Sequence, residues 1–153
     1  MVGLVLWQDD GVFFQEGVSV EESDKYKAGL AVRKKVLGEK YVNDALSQAD
    51  EFTAPLQEYL TEHAWGAVWV RDGLSLKTRS MLNLAILTAI NRPAELRLHI
   101  RGALNNGVTK EEMREIFLHC GAYCGAPAAL DAFKSAKQVF AEDAAASSAA
   151  VKP

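Results

Sequence analysis

Two glutamate–histidine pairs are the residues of this sequence that are best spaced for acid–base chemistry. Glu95 precedes His99 by four residues, and Glu115 precedes His119 by the same interval. Residues four apart are neighbours on a helix, so each carboxylate can orient its imidazole and stabilise a positive charge on it. Each pair is either part of an active site or an ordinary pair on a solvated helix face, and the spacing alone favours the second interpretation.

Metal and redox chemistry are less well supported by the spacing. The two pairs lack the His-Glu-x-x-His and Glu-x-x-His patterns of metal sites, so we predict no bound metal. Cys120 and Cys124 form C-x-x-x-C, and on one helix their Cβ atoms would lie about 5–6 Å apart, whereas a disulfide needs roughly 3.5–4.5 Å. We expect Cys120 to pack in the core and Cys124, at the helix end, to line a cavity.

Two of the three tryptophans lie on either side of a glycine. Trp65 and Trp69 flank the region of Gly66, where we expect a helix to break before the turn at Asp72 and Gly73. Aromatic pairs of this kind usually belong to a hydrophobic core. The alternative is that they form the wall of a pocket whose polar end comes from another helix.

The elements that would position these side chains are helices. Ser19 with Glu22, and Thr109 with Glu112, have the spacing of capping boxes at helix starts. The segment LKTRSMLNLAILTAI, which follows Ser75, is hydrophobic nearly all round and is predicted to be the buried centre of the fold. Seven helical segments with short loops predict an all-α protein, a compact bundle of about six to seven helices.

Length and composition predict a single globular domain. The chain has 153 residues, 49% of them hydrophobic, and its net charge of −3 with scattered Lys and Arg argues against a nucleic-acid partner. No apolar run reaches about 18 residues and no secretory signal is recognisable, so we expect no membrane span and a cytoplasmic protein. The predicted divisions are an N-terminal extension of unknown structure at 1–21, with strand-like stretches, a helical domain at 22–141 and a flexible tail at 142–153.

Four stretches of the chain together resemble the carboxymuconolactone decarboxylase family of the alkyl hydroperoxidase D-like superfamily. They are YKAGLAVRKKVLG, AWGAVWVRDGL, LKTRSMLNLAILTAINRPAELRLHIRGALNNGVTKEE and YCGAPAALDAF. The resemblance extends from about residue 22 to residue 140, and the long central block is specific because it matches in order, in spacing and in unusual choices such as LRLHIRGALNNG. Residues 1–20 have no counterpart in the family.

The resemblance implies an all-α subunit that assembles into a homo-oligomeric ring, a trimer or hexamer, and a decarboxylase that uses no cofactor. The implied reaction converts 4-carboxymuconolactone to the β-ketoadipate enol-lactone in the protocatechuate branch of aromatic catabolism. Loss of CO₂ pushes electrons towards the lactone carbonyl, so catalysis needs a hydrogen-bond donor for that oxygen and a proton for carbon. We expect His99, oriented by Glu95, to serve one or both needs.

The implied substrate carries two carboxylates, which predicts further binding residues. An arginine would hold one carboxylate, and the tryptophans would form a drier wall that favours loss of the other. Arg101 and His99 are about 200° apart around a helix, so we expect a site shared between subunits. The candidates for substrate binding are Arg101, Arg97, Arg79, Trp65, Trp69, Tyr123 and Cys124.

Peroxidases of the same superfamily use a glutamate followed by C-x-x-C-x-x-x-H. Aligning that histidine with His99 puts Arg92 and Glu95 at the two cysteine positions and Ser80 near that of the acid, so this sequence lacks those redox residues. Three alternatives stay open: thiol-dependent peroxidase activity through the two cysteines that are present, decarboxylation of a related lactone acid, and a binding module without catalysis.

Overall fold

The computed structural model describes residues 23–150, and every regular element within them is a helix. This confirms the predicted all-α fold; the strand-like stretches in residues 1–21 lie outside the described residues. A π-helix, Leu60–Trp69, directly continues the third α-helix. The α-helices are α1 (Asp24–Leu37), α2 (Glu39–Ser47), α3 (Ala54–Tyr59), α4 (Leu76–Ala89), α5 (Pro93–Asn105), α6 (Lys110–Cys124) and α7 (Ala126–Ala150).

Side-chain caps fix where the helices that carry the candidate residues begin. The Ser75 hydroxyl accepts a hydrogen bond from the Thr78 backbone N–H at the start of α4. Thr109 and Glu112 form the predicted capping box at the start of α6. At α1 the cap is Ser23, and the box predicted for residues 19–22 lies outside the described residues.

The predicted helix break at Gly66 is wrong. The helix continues through this residue as a π-helix, because the glycine serves a close helix crossing and not a chain reversal. A Cβ on Gly66 would lie 2.2 Å from the Lys25 carbonyl oxygen, and a Cβ on Gly29 would lie 2.2 Å from the Thr61 carbonyl oxygen. Two residues without side chains therefore let α1 and the π-helix approach to backbone contact.

The last helix is longer than predicted. It continues to Ala150, whereas the sequence pattern was expected to end it near Glu142. The alanines after Glu142 have the highest helix propensity of any residue type, and this outweighs the lack of an apolar stripe there. The division of the chain into extension, domain and tail stays a prediction.

Within residues 23–150, two hydrophobic clusters form the core, and α5 contributes to both. Leu96, Ile100 and Ala103 belong to the larger cluster, which also includes residues of α4, α6 and α7. Leu98 packs against the smaller cluster, which α1, α2 and the π-helix form. His99 follows Leu98 directly, so the packing on both sides of α5 fixes the position of its backbone.

Helix α4 is only partly the buried centre that its composition predicts. Leu84 is fully buried, but Leu82, Ile86 and Ile90 are 48%, 53% and 57% exposed on its other side. Leu82 and Ile86 lie one turn apart on one face of α4, and Ile90 is the C-cap four residues further on; these three exposed residues are called here the α4 ridge. No helix within residues 23–150 is long and apolar enough to span a membrane.

Candidate active site

The candidate site is centred on His99, where helices α4 and α5 pack together. Its side chain is partly buried, and its Nδ1 atom lies 3.4 Å from the Nδ2 atom of Asn83 on α4. Sequence reasoning missed Asn83. The available signal was an amide within an otherwise apolar run, because an asparagine there lowers helix propensity and needs a hydrogen-bond partner.

Burial sets the charge of His99. Loss of contact with water lowers its pKa from 6.5 to about 4, and the negative charge of Glu95 opposes this shift without cancelling it. The imidazole is therefore neutral at pH 7. A neutral imidazole donates one hydrogen bond and accepts another, whereas the imidazolium ion that a general acid needs is scarce at this pH.

Glu95 lies one turn before His99 on the exposed side of α5. Within residues 23–150 no hydrogen bond joins it to His99, so it acts on the imidazole through its charge. It also lines a cleft of about 500 Å³. The other residues of this cleft are Leu37, Tyr41, Ala94, Arg97, Leu98 and Arg101.

The three predicted arginines have different surroundings. Arg101 forms ion pairs with Glu142 and Asp143 of α7, so its charge is already balanced. Arg97 lines the cleft beside Glu95. Arg79 donates from Nη2 to the Arg71 carbonyl oxygen at 2.8 Å, while its Nε atom is buried without a hydrogen-bond partner among the described residues.

Position on the helix connects Arg79 with His99. Arg79 precedes Asn83 by four residues on α4, so the two side chains leave neighbouring positions of one helix face. Asn83 in turn contacts the imidazole. A buried donor without a partner is costly in a folded protein, which makes Arg79, among the three predicted arginines, the one with unfilled capacity for an anion.

The predicted tryptophan wall lies in the core. Trp65 and Trp69 stack with 4.7 Å between their ring centres, and only 5% and 7% of each residue is exposed. They pack in the smaller cluster with Val36, Leu37 and Val42. Their surface is therefore used by neighbouring side chains, and Leu98, which directly precedes His99, packs against the same cluster.

The second glutamate–histidine pair lies on a different surface. Glu115 and His119 line a mostly apolar cleft of about 510 Å³ between α4 and α6. The His119 ring contacts Tyr123 at 4.7 Å between ring centres, and Tyr123 itself is 80% exposed. Asn83 and His99 do not belong to the lining of this cleft.

The two cysteines are not joined by a disulfide. Cys120 is buried and its thiol donates to the Ala85 carbonyl oxygen at 3.7 Å, whereas Cys124 is exposed. Burial raises the pKa of the Cys120 thiol, which disfavours the reactive thiolate. No cluster of three or more His, Cys, Asp or Glu suited to a metal ion occurs within residues 23–150.

The fold and the site together define an all-helical protein with a neutral, partly buried histidine that contacts an asparagine of the neighbouring helix. The chain belongs to the carboxymuconolactone decarboxylase family, whose sequence pattern matches residues 54–138. It is 46% identical over 121 residues to 4-carboxymuconolactone decarboxylase of Acinetobacter baylyi, covering 79% of this chain and 90% of the relative. It is also 50% identical over 107 residues to nitrosuccinic acid decarboxylase of Metarhizium robertsii, covering 70% of this chain and 75% of that relative.

Proposed function

We propose that this protein is a carboxy-lyase that decarboxylates 4-carboxymuconolactone to the β-ketoadipate enol-lactone without a cofactor. The similarity to a decarboxylase of that name over 90% of the relative's length carries the choice of reaction. The buried, neutral His99 supports it, because the reaction needs a hydrogen-bond donor in a site with little water.

The chemistry assigns His99 one of the two roles expected of it. When the bond between the ring carbon and the carboxylate breaks, its electron pair moves through the double bond to the lactone carbonyl and leaves negative charge on that oxygen. A neutral imidazole stabilises this oxygen by donating a hydrogen bond, and a donor in a dry site is worth far more than in water. The proton that finally reaches carbon then comes from an acid other than an imidazolium ion.

Nitrosuccinic acid is the second candidate substrate, because the chain is 50% identical to a decarboxylase named for that acid. The two substrates make the same demand on the protein. In each of them the electrons released with CO₂ spread onto oxygen atoms, of a lactone carbonyl in one case and of a nitro group in the other. One donor at His99 therefore suits both reactions, and the surrounding side chains set the choice.

Arg79 is the arginine that we propose as the anchor for the substrate's remaining carboxylate. Its Nε atom is buried without a partner, and it lies one turn from Asn83, whereas Arg101 is paired with two carboxylates. An Arg79→Gln variant should raise KM at least about tenfold with a smaller effect on kcat. The matched Arg101→Gln variant should change KM less than about threefold, because its partners lie on α7.

We further propose that a second copy of the chain covers the α4 ridge and closes the site. The ridge exposes three large apolar residues beside Asn83, which is costly for a surface in water. Light scattering should give a mass of at least twice the 16.7 kDa of one chain. An Ile86→Asp variant should form a smaller assembly by light scattering and should be less active. A native protein that is monomeric and fully active would contradict the proposal.

A direct substrate comparison tests the proposed function. Freshly prepared 4-carboxymuconolactone and nitrosuccinic acid are each incubated with the native protein, and CO₂ release is followed. We expect the higher kcat/KM with the lactone. Turnover of nitrosuccinic acid alone would replace the first candidate by the second, and turnover of neither would refute a decarboxylase of these acids. Peroxide reduction that depends on Cys124 would favour the thiol peroxidase instead.

A further inference from the structure

Asn83 faces His99 with the nitrogen atom of its side-chain amide. Its Nδ2 atom faces the imidazole Nδ1 atom at 3.4 Å, and a side-chain amide nitrogen donates but does not accept. With the amide in this orientation, the imidazole nitrogen in the contact is the accepting one. Because a neutral imidazole carries a single N–H, its proton must then be on Nε2, the other ring nitrogen.

We propose that Asn83 is a positioning residue that holds His99 in the Nε2–H tautomer and so presents an N–H group to the substrate. The catalytic part of this inference rests on the proposed decarboxylation, whereas the tautomer is a property of the protein alone. Asn83 touches no reacting atom in this account. It acts by deciding which imidazole nitrogen carries the donor.

Glu95 does not compete for this role. Within residues 23–150, the contact with Asn83 is the hydrogen bond that the His99 ring makes, and none joins it to Glu95. A carboxylate that accepted the Nε2 proton would occupy the donor that the substrate needs. Glu95 instead influences the ring through its charge, from the exposed side of α5.

The surroundings of Asn83 support a dedicated contact. It lies on α4 between Leu82 and Leu84, where a leucine would favour the helix more strongly. Its side chain is half-buried, and within the described residues its hydrogen bond goes to His99. A half-buried amide in an apolar segment is tolerated when its hydrogen bond is made, and here the partner is the imidazole. Burial also keeps this imidazole neutral, so that a tautomer is defined at pH 7.

Nuclear magnetic resonance of the imidazole nitrogens tests the inference without any substrate. Long-range ¹H–¹⁵N correlation spectra distinguish Nε2–H, Nδ1–H and doubly protonated rings. The His99 signals are assigned by their loss in a His99→Gln variant, and His63 and His119 serve as exposed controls in the same spectrum. We expect an Nε2–H ring for His99 at pH 7. An Nδ1–H ring in the native protein would overturn the proposal.

An Asn83→Asp variant reverses the contact at nearly constant size. A carboxylate only accepts, so it should draw the proton to Nδ1 or stabilise a doubly protonated ring. An Asn83→Leu variant removes the contact and should give a mixture of the two neutral tautomers. His99 signals that stay those of a pure Nε2–H ring in both folded variants would overturn the proposal; if either variant fails to fold, the native spectrum decides alone.

Kinetics then connects the tautomer with catalysis. Loss of one preorganised donor typically costs roughly 10²–10³-fold in kcat, so an Asn83→Asp protein whose His99 ring is Nδ1–H should lose that factor in kcat. A doubly protonated ring keeps the Nε2–H donor and predicts no such loss. A purely structural role would instead change stability and leave the spectrum unaltered. If the native protein decarboxylates neither acid, the proposed function fails while the spectrum still decides the role of Asn83. An Asn83→Asp protein with the altered tautomer and normal kcat would refute the catalytic part only.

Discussion

Acidification should weaken the fold through His99. Burial gives this residue a pKa of about 4 in the folded protein, below the value of 6.5 for an exposed histidine. Between these two values the unfolded chain binds a proton that the folded chain does not bind, so the free energy of unfolding falls as the pH is lowered. This loss of stability through His99 is nearly absent above about pH 6.5 and nearly complete below about pH 4.

The size of the loss follows from the two pKa values. At about pH 5 a group with a pKa of 6.5 when unfolded and about 4 when folded lowers the free energy of unfolding by about 2 kcal/mol relative to about pH 7.5. Below about pH 4 the loss approaches about 3 kcal/mol. A loss of this size is a large part of the stability of a typical domain.

Urea unfolding of the native protein and of a His99→Gln variant at both pH values measures this effect. The variant has no titrating group at position 99, so the native protein should lose about 2 kcal/mol more than the variant does. The carboxylates contribute equally to the pH dependence of both proteins, so their contributions cancel in the difference. A His119→Gln variant, altered at an exposed position, should behave like the native protein. Equal pH dependence of native and His99→Gln proteins would refute the burial of a neutral His99.

Three further substitutions test the packing by urea unfolding at pH 7. Phe117→Ala removes a buried ring that meets Phe133 edge-on at 5.8 Å, and should cost about 3–5 kcal/mol. Thr109→Ala removes the side-chain cap of α6 and should cost about 1 kcal/mol. Gly29→Ala places a Cβ 2.2 Å from the Thr61 carbonyl oxygen and should cost about 1–3 kcal/mol, whereas Gly73→Ala, which meets open space, should cost less than about 1 kcal/mol.

Each of these three predictions has a result that would contradict it. A Phe117→Ala protein within about 1 kcal/mol of the native one would mean that the larger core relaxes around the cavity. An unchanged Thr109→Ala protein would remove the capping box from the account of α6. Equal effects at Gly29 and Gly73 would mean that α1 and the π-helix do not make the close crossing.

Much of the fold was predictable because local signals and burial agree. The Thr109 capping box marked the start of α6, which the structure confirms. The helix break predicted at Gly66 was wrong because glycine occurs both at helix ends and at close helix crossings. A single sequence does not show which other segment approaches the glycine. The apolar surface of α4 was assigned to the core because composition does not distinguish a side chain that packs within the chain from one left at its surface.

The candidate site was only partly predictable for a related reason. The spacing of Glu95 and His99 identified a pair along one helix, which is a local pattern. Asn83 is 16 residues away from His99 in sequence, and their contact depends on how α4 packs against α5. The difference between Arg79 and Arg101 likewise depends on distant partners in α7 and in the segment before α4.

Steady-state decarboxylation of 4-carboxymuconolactone by the native, His99→Gln and His119→Gln proteins measures the contribution of His99 to catalysis. We propose that His99 lies at the developing charge, whereas His119 lines a separate cleft. We predict that His99→Gln loses at least roughly 10²-fold in kcat while remaining folded, and that His119→Gln stays within about threefold of the native protein. A folded His99→Gln protein with native kcat would contradict the account.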